Sequence, residues 1–121
     1  MFFNCTSLVD ASMITITNKQ WGTCSGMFYN CTSLRKSPII KGDITQGSCS
    51  YMFSYCSSLE EVVYLGTTEP KNNYSGSWLK GVAATGTFYM NKNATWDSTV
   101  SRDVNGIPEG WTIVKVDPND Y

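Results

Sequence analysis

Histidine is absent from the 121-residue chain. That excludes Ser-His-Asp and Cys-His nucleophile systems, histidine general bases and every metal site that needs an imidazole. Charge is scarce as well: Asp, Glu, Lys and Arg make up 16% of the residues, against about 25% in an average globular chain. Nine basic and ten acidic residues leave a formal net charge of -1. No excess of either sign recruits nucleic acid or an anionic bilayer. No apolar run approaches the ~18 residues of a membrane-spanning helix, so no membrane insertion is expected. The first residues lack a basic segment followed by a long apolar stretch, and the expectation is that a signal peptide is missing from this stretch.

What the sequence has is repetition. Met1-Phe2-Phe3-Asn4-Cys5-Thr6-Ser7-Leu8 returns as Met27-Phe28-Tyr29-Asn30-Cys31-Thr32-Ser33-Leu34 and again as Met52-Phe53-Ser54-Tyr55-Cys56-Ser57-Ser58-Leu59. The spacings are 26 and 25 residues, the period of a coil built from one short strand and one return segment. Cys24, Phe28, Cys31 and Leu34 recur at steps of three and four, as do Cys49, Phe53 and Cys56, which predicts one face of a short helix or 3₁₀ turn. Beyond each leucine the pattern changes. Leu8, Ala11 and Ile14 match Leu34, Ser37 and Ile40, and match Leu59, Val62 and Leu65. This spacing predicts a short strand entered through a bend, with those side chains turned inward. Gly42-Asp43 before Ile44, and Gly47-Ser48, supply turns. The predicted fold class is α/β: a short solenoid of parallel strands, with residues 34–40 and 59–65 paired in parallel.

The repeat fades after Thr67. Pro70-Lys71-Asn72-Asn73 reads as a turn, residues 86–90 and 111–116 as strands, and Gly106-Ile107-Pro108-Glu109-Gly110 as a tight turn. Trp78, Trp96 and Trp111 crowd this last third. The expected organisation is residues 1–69 as repeats, the first truncated, and 70–121 as a β-containing C-terminal capping segment. The rival reading of the tryptophans is an aromatic ligand platform. Because Met1 aligns with Met27 and nothing precedes it to match Cys24, the chain is expected to be a fragment, with self-association through an uncapped N-terminal repeat as the alternative.

The segments Cys24-Ser25-Gly26-Met27-Phe28-Tyr29-Asn30-Cys31-Thr32-Ser33-Leu34 and Cys49-Ser50-Tyr51-Met52-Phe53-Ser54-Tyr55-Cys56-Ser57-Ser58-Leu59 resemble BspA-type leucine-rich repeats, a family of surface proteins of gut and oral anaerobes, especially Bacteroides relatives. Trp78, the run Gly81-Val82-Ala83-Ala84-Thr85-Gly86-Thr87-Phe88 and the run Gly106-Ile107-Pro108-Glu109-Gly110-Trp111-Thr112 resemble the terminal segment of such proteins. The resemblance implies a leucine-rich-repeat solenoid and a role in adhesion or surface binding of an extracellular protein or glycan, at the cell surface or secreted, as part of a longer protein.

The residues themselves offer little chemistry. Five cysteines lie at seven-residue steps within units, unlike the two to four of zinc hairpins. Stacked coils permit either a ladder of buried free thiols or cross-coil disulfides. Glu60 and Glu61 are adjacent and point apart on a strand. Asp10 and Asp43 belong to other units, and each reads as a solvated turn or strand residue. No catalytic, cofactor-binding or metal-ligating residue is expected. The outward strand positions are more informative. They place Asp10 and Met13 on the first coil, Arg35, Lys36 and Ile39 on the second, and Glu60, Glu61, Val63 and Tyr64 on the third. Charge sign alternates along this face beside an apolar strip, a mixture that suits protein contact. The leading expectation is a non-enzymatic adhesion or binding module. A structural spacer or fibre component is the second, and a glycan-processing enzyme the third.

Overall fold

The structure, a computed structural model, describes residues 2–17, 26–43, 51–68, 78–96 and 106–121. The expected turns at Gly47-Ser48 and residues 70–73, and the side chains of Cys24, Ile44 and Cys49, lie outside the described residues. Five strands appear in chain order: β1 (Thr15–Ile16), β2 (Lys36–Ile40), β3 (Glu61–Tyr64), β4 (Gly86–Asn91) and β5 (Trp111–Val116). They form one sheet in the order β1-β2-β3-β4-β5, and every neighbouring pair is parallel. The fold is a small α/β fold with little helical content. Residues 34–40 and 59–65 pair in parallel as the repeat predicts, and the sheet continues without a break into β4 and β5.

Of the expected short helix or 3₁₀ turn, no continuous helix forms before the strands among the described residues: each segment is a chain of turns closed by three-residue hydrogen bonds. The amides of Cys5, Cys31 and Cys56 donate to the carbonyls of Phe2, Phe28 and Phe53, and those of Leu8, Leu34 and Leu59 donate to the three cysteines. The residue before each cysteine sits in the left-handed region: Asn4 at φ 60°, Asn30 at 61° and Tyr55 at 64°. A positive φ at the third position of a turn breaks helical continuity and is the signature of a type II turn. The three- and four-residue spacing of apolar side chains therefore records consecutive turns facing one core. Outward-directed backbone groups of the turns pair from unit to unit. Phe2 and Asn4 donate to Met27 and Tyr29, Phe28 and Asn30 to Met52 and Ser54, and Phe53 and Tyr55 to Trp78 and Lys80. This ladder places Trp78 in the position of Met27 and Met52, and Gly81, at φ 77°, in that of Asn30 and Tyr55.

The main core lies between the turn row and one sheet face. Phe28, Cys31, Leu34, Phe53, Cys56 and Leu59 are fully buried there. Phe2, Phe28 and Phe53 stack at centroid separations of 5.1 and 5.5 Å. Trp78 and Trp111 join the same core and Trp96 packs against it, so these rings are packing elements and not an exposed platform.

The expected inward set is corrected in two places. Tyr64, expected on the outer face, is fully buried in the main core, whereas Leu65, expected inward, belongs to a second apolar cluster with Ile39 and Val63. The reason is strand pleat. Side chains alternate along a strand, so after Val62 the next inward residue is Tyr64. Ile40 keeps its inward position because β2 carries a register shift between Lys36 and Ile39. One extra residue there turns a three-residue step into one that ends on the same face. Pro38 has no amide to give to the ladder. At this irregularity the buried Ser37 hydroxyl serves as the acceptor for the Val63 amide at 3.0 Å and itself donates to the Pro38 carbonyl at 2.8 Å. In the first unit a turn closed by the Ile14 amide on the Ala11 carbonyl takes up the extra length, and Ile16 is the residue buried opposite Ile40.

Cys5, Cys31 and Cys56 are free thiols. The Cys31 and Cys56 thiols donate to the carbonyls of Phe2 and Phe28 in the preceding unit, at 2.8 and 2.9 Å. Burial pushes the Cys31 thiol up, and pushes the Cys56 thiol up to about 12 from an ordinary 9.0. A raised folded-state pKa gives stability that is present below pH 9 and lost as pH climbs toward 12. Alkaline melts are expected to fall through this window, and to fall less in Cys56→Ala measured against its own neutral value. At pH 8 a thiol reagent is expected to label Cys56 only as fast as the protein opens. Immediate labelling of Cys56 in the native state would contradict its burial.

Candidate functional site

On the outer sheet face the described charged side chains pair between neighbouring segments of the sheet. Lys36 is in register with Glu61, and their charged groups are 3.6 Å apart. Arg35 pairs with Glu60. These are exposed pairs, each worth about 0.2–1 kcal/mol. Asp10 forms an isolated parallel bridge with Lys36, but its carboxylate turns to its own loop and accepts from the Ser12 amide at 2.8 Å. Hydrogen bonds from Ser12 hold the Asp10 carboxyl below its ordinary range. Asp43 is likewise a turn residue, accepting from the amides of Thr67 and Thr68 at 2.7 and 3.1 Å.

The apolar part of the expected face is divided. Ile39 and Val63 lie on the outer face, at 9% exposure each, with Tyr89 and Val116 packed against them. Met13 stands in the loop before β1 at 85% exposure, apart from that cluster. Tyr64 is on the other side of the sheet, so it drops out of the face. Two residues not expected from the sequence take its place. Tyr89 and Tyr121, together with Lys36, Ile39, Glu61 and Val63, line a recess of about 190 Å³. Tyr121 arrives there because residues 117–121 fold back. Asp117 caps a 3₁₀ turn at Pro118–Asp120 by accepting from the Asn119 amide, and it pairs with Lys92 at 3.0 Å. Lys41 donates to the backbone oxygen of Tyr121 at 2.9 Å. The last residues of the chain are thus part of the outer face.

A second recess, of about 520 Å³, runs along the turn row. It is lined by Phe3, Gly26, Tyr29, Tyr51, Tyr55 and Lys80. Phe3 and Tyr29 stack at 5.1 Å with planes 9° apart, and Tyr29 meets Tyr55 edge-on at 5.6 Å. Phe3, Tyr51 and Tyr55 are exposed, and the Lys80 ammonium lies 5.8 Å from the Tyr55 ring centroid. Beside the row the Asn30 side-chain amide donates to that of Asn4 at 3.0 Å. Sequence reasoning missed this groove. The signal was the second aromatic of Phe2-Phe3 and Phe28-Tyr29, which sits at the corner of the turn one position beyond the core phenylalanine and so faces away from the core.

No protein-family model, curated protein or solved structure matches this chain.

Proposed function

We propose that the chain is a non-enzymatic recognition module of a longer cell-surface or secreted protein. In this reading its units are BspA-type leucine-rich repeats stacked as a short solenoid, residues 70–121 close the stack as a cap, and the outer sheet face contacts an extracellular protein or glycan. The observation that carries the reading is the recess on that face. Its two charges are neutralised as a pair on the rim, Lys36 with Glu61, beside an apolar floor of Ile39 and Val63, and the neighbouring Arg35–Glu60 pair extends the same pattern outside the recess. A polar rim around an apolar centre is the anatomy of a contact surface.

The test is a binding screen of the 121-residue chain against immobilised extracellular-matrix proteins and a glycan array. The hit is then measured with Arg35→Glu/Lys36→Glu. A second variant adds Glu60→Lys/Glu61→Lys, which restores the ion pairs with inverted sign. Both inversions are expected to weaken binding about ten-fold or more, and the four-fold variant to melt near wild type. No hit in either screen, or a hit indifferent to both inversions, would sink the sheet-face reading.

A further inference from the structure

The turn-row groove shares no lining residue with the sheet-face recess, and it contains a side chain whose backbone is the wrong one for its residue type. Four units place a left-handed residue at the same ladder position. Two use asparagine and one glycine, the residues that tolerate a positive φ; the third uses Tyr55, at φ 64°. Tyr51, at φ 56°, repeats the choice four residues earlier in the same groove. Bulky residues held in this region are strained, and such strain concentrates at ligand clamps. Neither ring is consumed by the core: Tyr51 is 47% and Tyr55 41% exposed. The next unit makes room for Tyr55, since a Cβ on Gly81 would stand 3.0 Å from its ring.

We propose that this groove is a binding site for an acidic glycan, a uronate- or sialate-bearing oligosaccharide. Lys80 is the charged residue among those that line it, and among the described residues no carboxylate lies within ion-pair distance of its ammonium. The groove therefore complements an anion. Phe3, Tyr29, Tyr51 and Tyr55 present apolar ring surface, and three of the four carry a phenolic hydroxyl. Alternating apolar patches and hydroxyls match a pyranose ring, whose C–H faces are apolar and whose rim is polar. The volume, about 520 Å³, is that of a small-ligand site. An extended peptide fits less well. The Asn4, Tyr29, Asn30 and Tyr55 amides, and the Tyr29, Ser54 and Lys80 carbonyls, are already engaged in turns and in the unit-to-unit ladder. A peptide strand adding here would find these main-chain groups taken.

The experiment is calorimetric or ligand-observed NMR titration of the 121-residue chain with tri-galacturonate and with 3′-sialyllactose. The methyl ester of tri-galacturonate and lactose serve as neutral counterparts, and a Glu-Pro repeat peptide as the peptide arm. Saturable binding of an acidic oligosaccharide is expected, with neutral counterparts weaker. Tyr55→Asn and Lys80→Gln are each expected to weaken it about ten-fold. Tyr55→Asn should melt at or above the wild-type temperature, because asparagine suits the position, so lost binding cannot be lost folding. Tyr55→Gly, copying Gly81, serves if the asparagine variant fails to fold. No saturable binding of either acidic oligosaccharide overturns the proposal. So does binding that both Tyr55 variants leave intact, equal binding of the neutral counterparts, or tighter binding of the peptide at the same groove.

Discussion

Replacing Leu34 with alanine is expected to lower stability by about 2–5 kcal/mol, the range for truncating a fully buried leucine. Leu34 ends the turn that leads into β2, and its side chain is completely inaccessible in the main core. Its backbone is fixed from both sides: the amide donates to the Cys31 carbonyl, and the next residue, Arg35, donates to the Val9 carbonyl of the preceding unit. The gap left by truncation cannot collapse without breaking that ladder. Domains of this size hold only about 5–15 kcal/mol in total, so the variant should be close to unfolding. Urea melts of the wild type and the variant, compared at equal slope, give the number. Leu34→Met, which conserves volume, should cost less than ~1.5 kcal/mol and keeps the comparison readable if the alanine variant does not fold. A loss below ~1 kcal/mol for Leu34→Ala would place the side chain outside the core.

Tyr64→Ala should be at least as damaging, at about 3–5 kcal/mol by analogy with other buried aromatics. The ring lies against Trp78 and Phe88 at centroid distances of 6.4 and 6.2 Å, and its hydroxyl donates to the Thr68 carbonyl at 2.8 Å. Tyr64→Phe isolates the hydroxyl and should cost about 0.5–1.5 kcal/mol. The prediction separates two phases of the same strand. If the side chain faced solvent, as inward positions at Leu59, Val62 and Leu65 would imply, the alanine substitution would fall within about ±0.5 kcal/mol. Thermal and urea melts of the three proteins decide between them.

Leu34 marks where the sequence was legible and Tyr64 where it was not. The repeat Met-Phe-x-x-Cys-x-Ser-Leu, with Asn or Tyr before the cysteine, spells the turn row, and its constant spacing fixes Leu34 and its equivalents inside. Parallel pairing followed from the same period, since a repeated unit returns the chain in the same direction each time. The strands were harder because the units are not of equal length where it matters. Ile16, Ile40 and Tyr64 occupy one row of the sheet 24 residues apart, while the leucines that precede them are 26 and 25 apart. The difference is absorbed by the turn at Ser12 and Met13 and by the Ser37-Pro38 irregularity, local features that a gapless alignment spreads over every later residue. Of the short helix or 3₁₀ turn expected from the three- and four-residue spacing, the continuous helix was displaced by backbone chemistry and single turns remain. Asn30 was the clue, since asparagine before a cysteine turn tolerates the left-handed conformation, but Tyr55 at the same position carries no such signal. The continuation into 78–82 was hidden for a similar reason: Trp78 and Gly81 share geometry with Met52 and Tyr55 but not chemistry.

The stacking of units through β2 and β3 is the claim on which the core, both recesses and the proposed sites depend. Inter-strand nuclear Overhauser contacts between backbone protons in the isotope-labelled chain test it most directly. The account predicts that Ile39 contacts Val63 and Ile40 contacts Tyr64 in a parallel pattern, with Lys36 opposite Glu61 and one residue of β2 left over between them. Contacts that run in the opposite sense, pairing Ile40 with Glu61 and Lys36 with Tyr64, would contradict it.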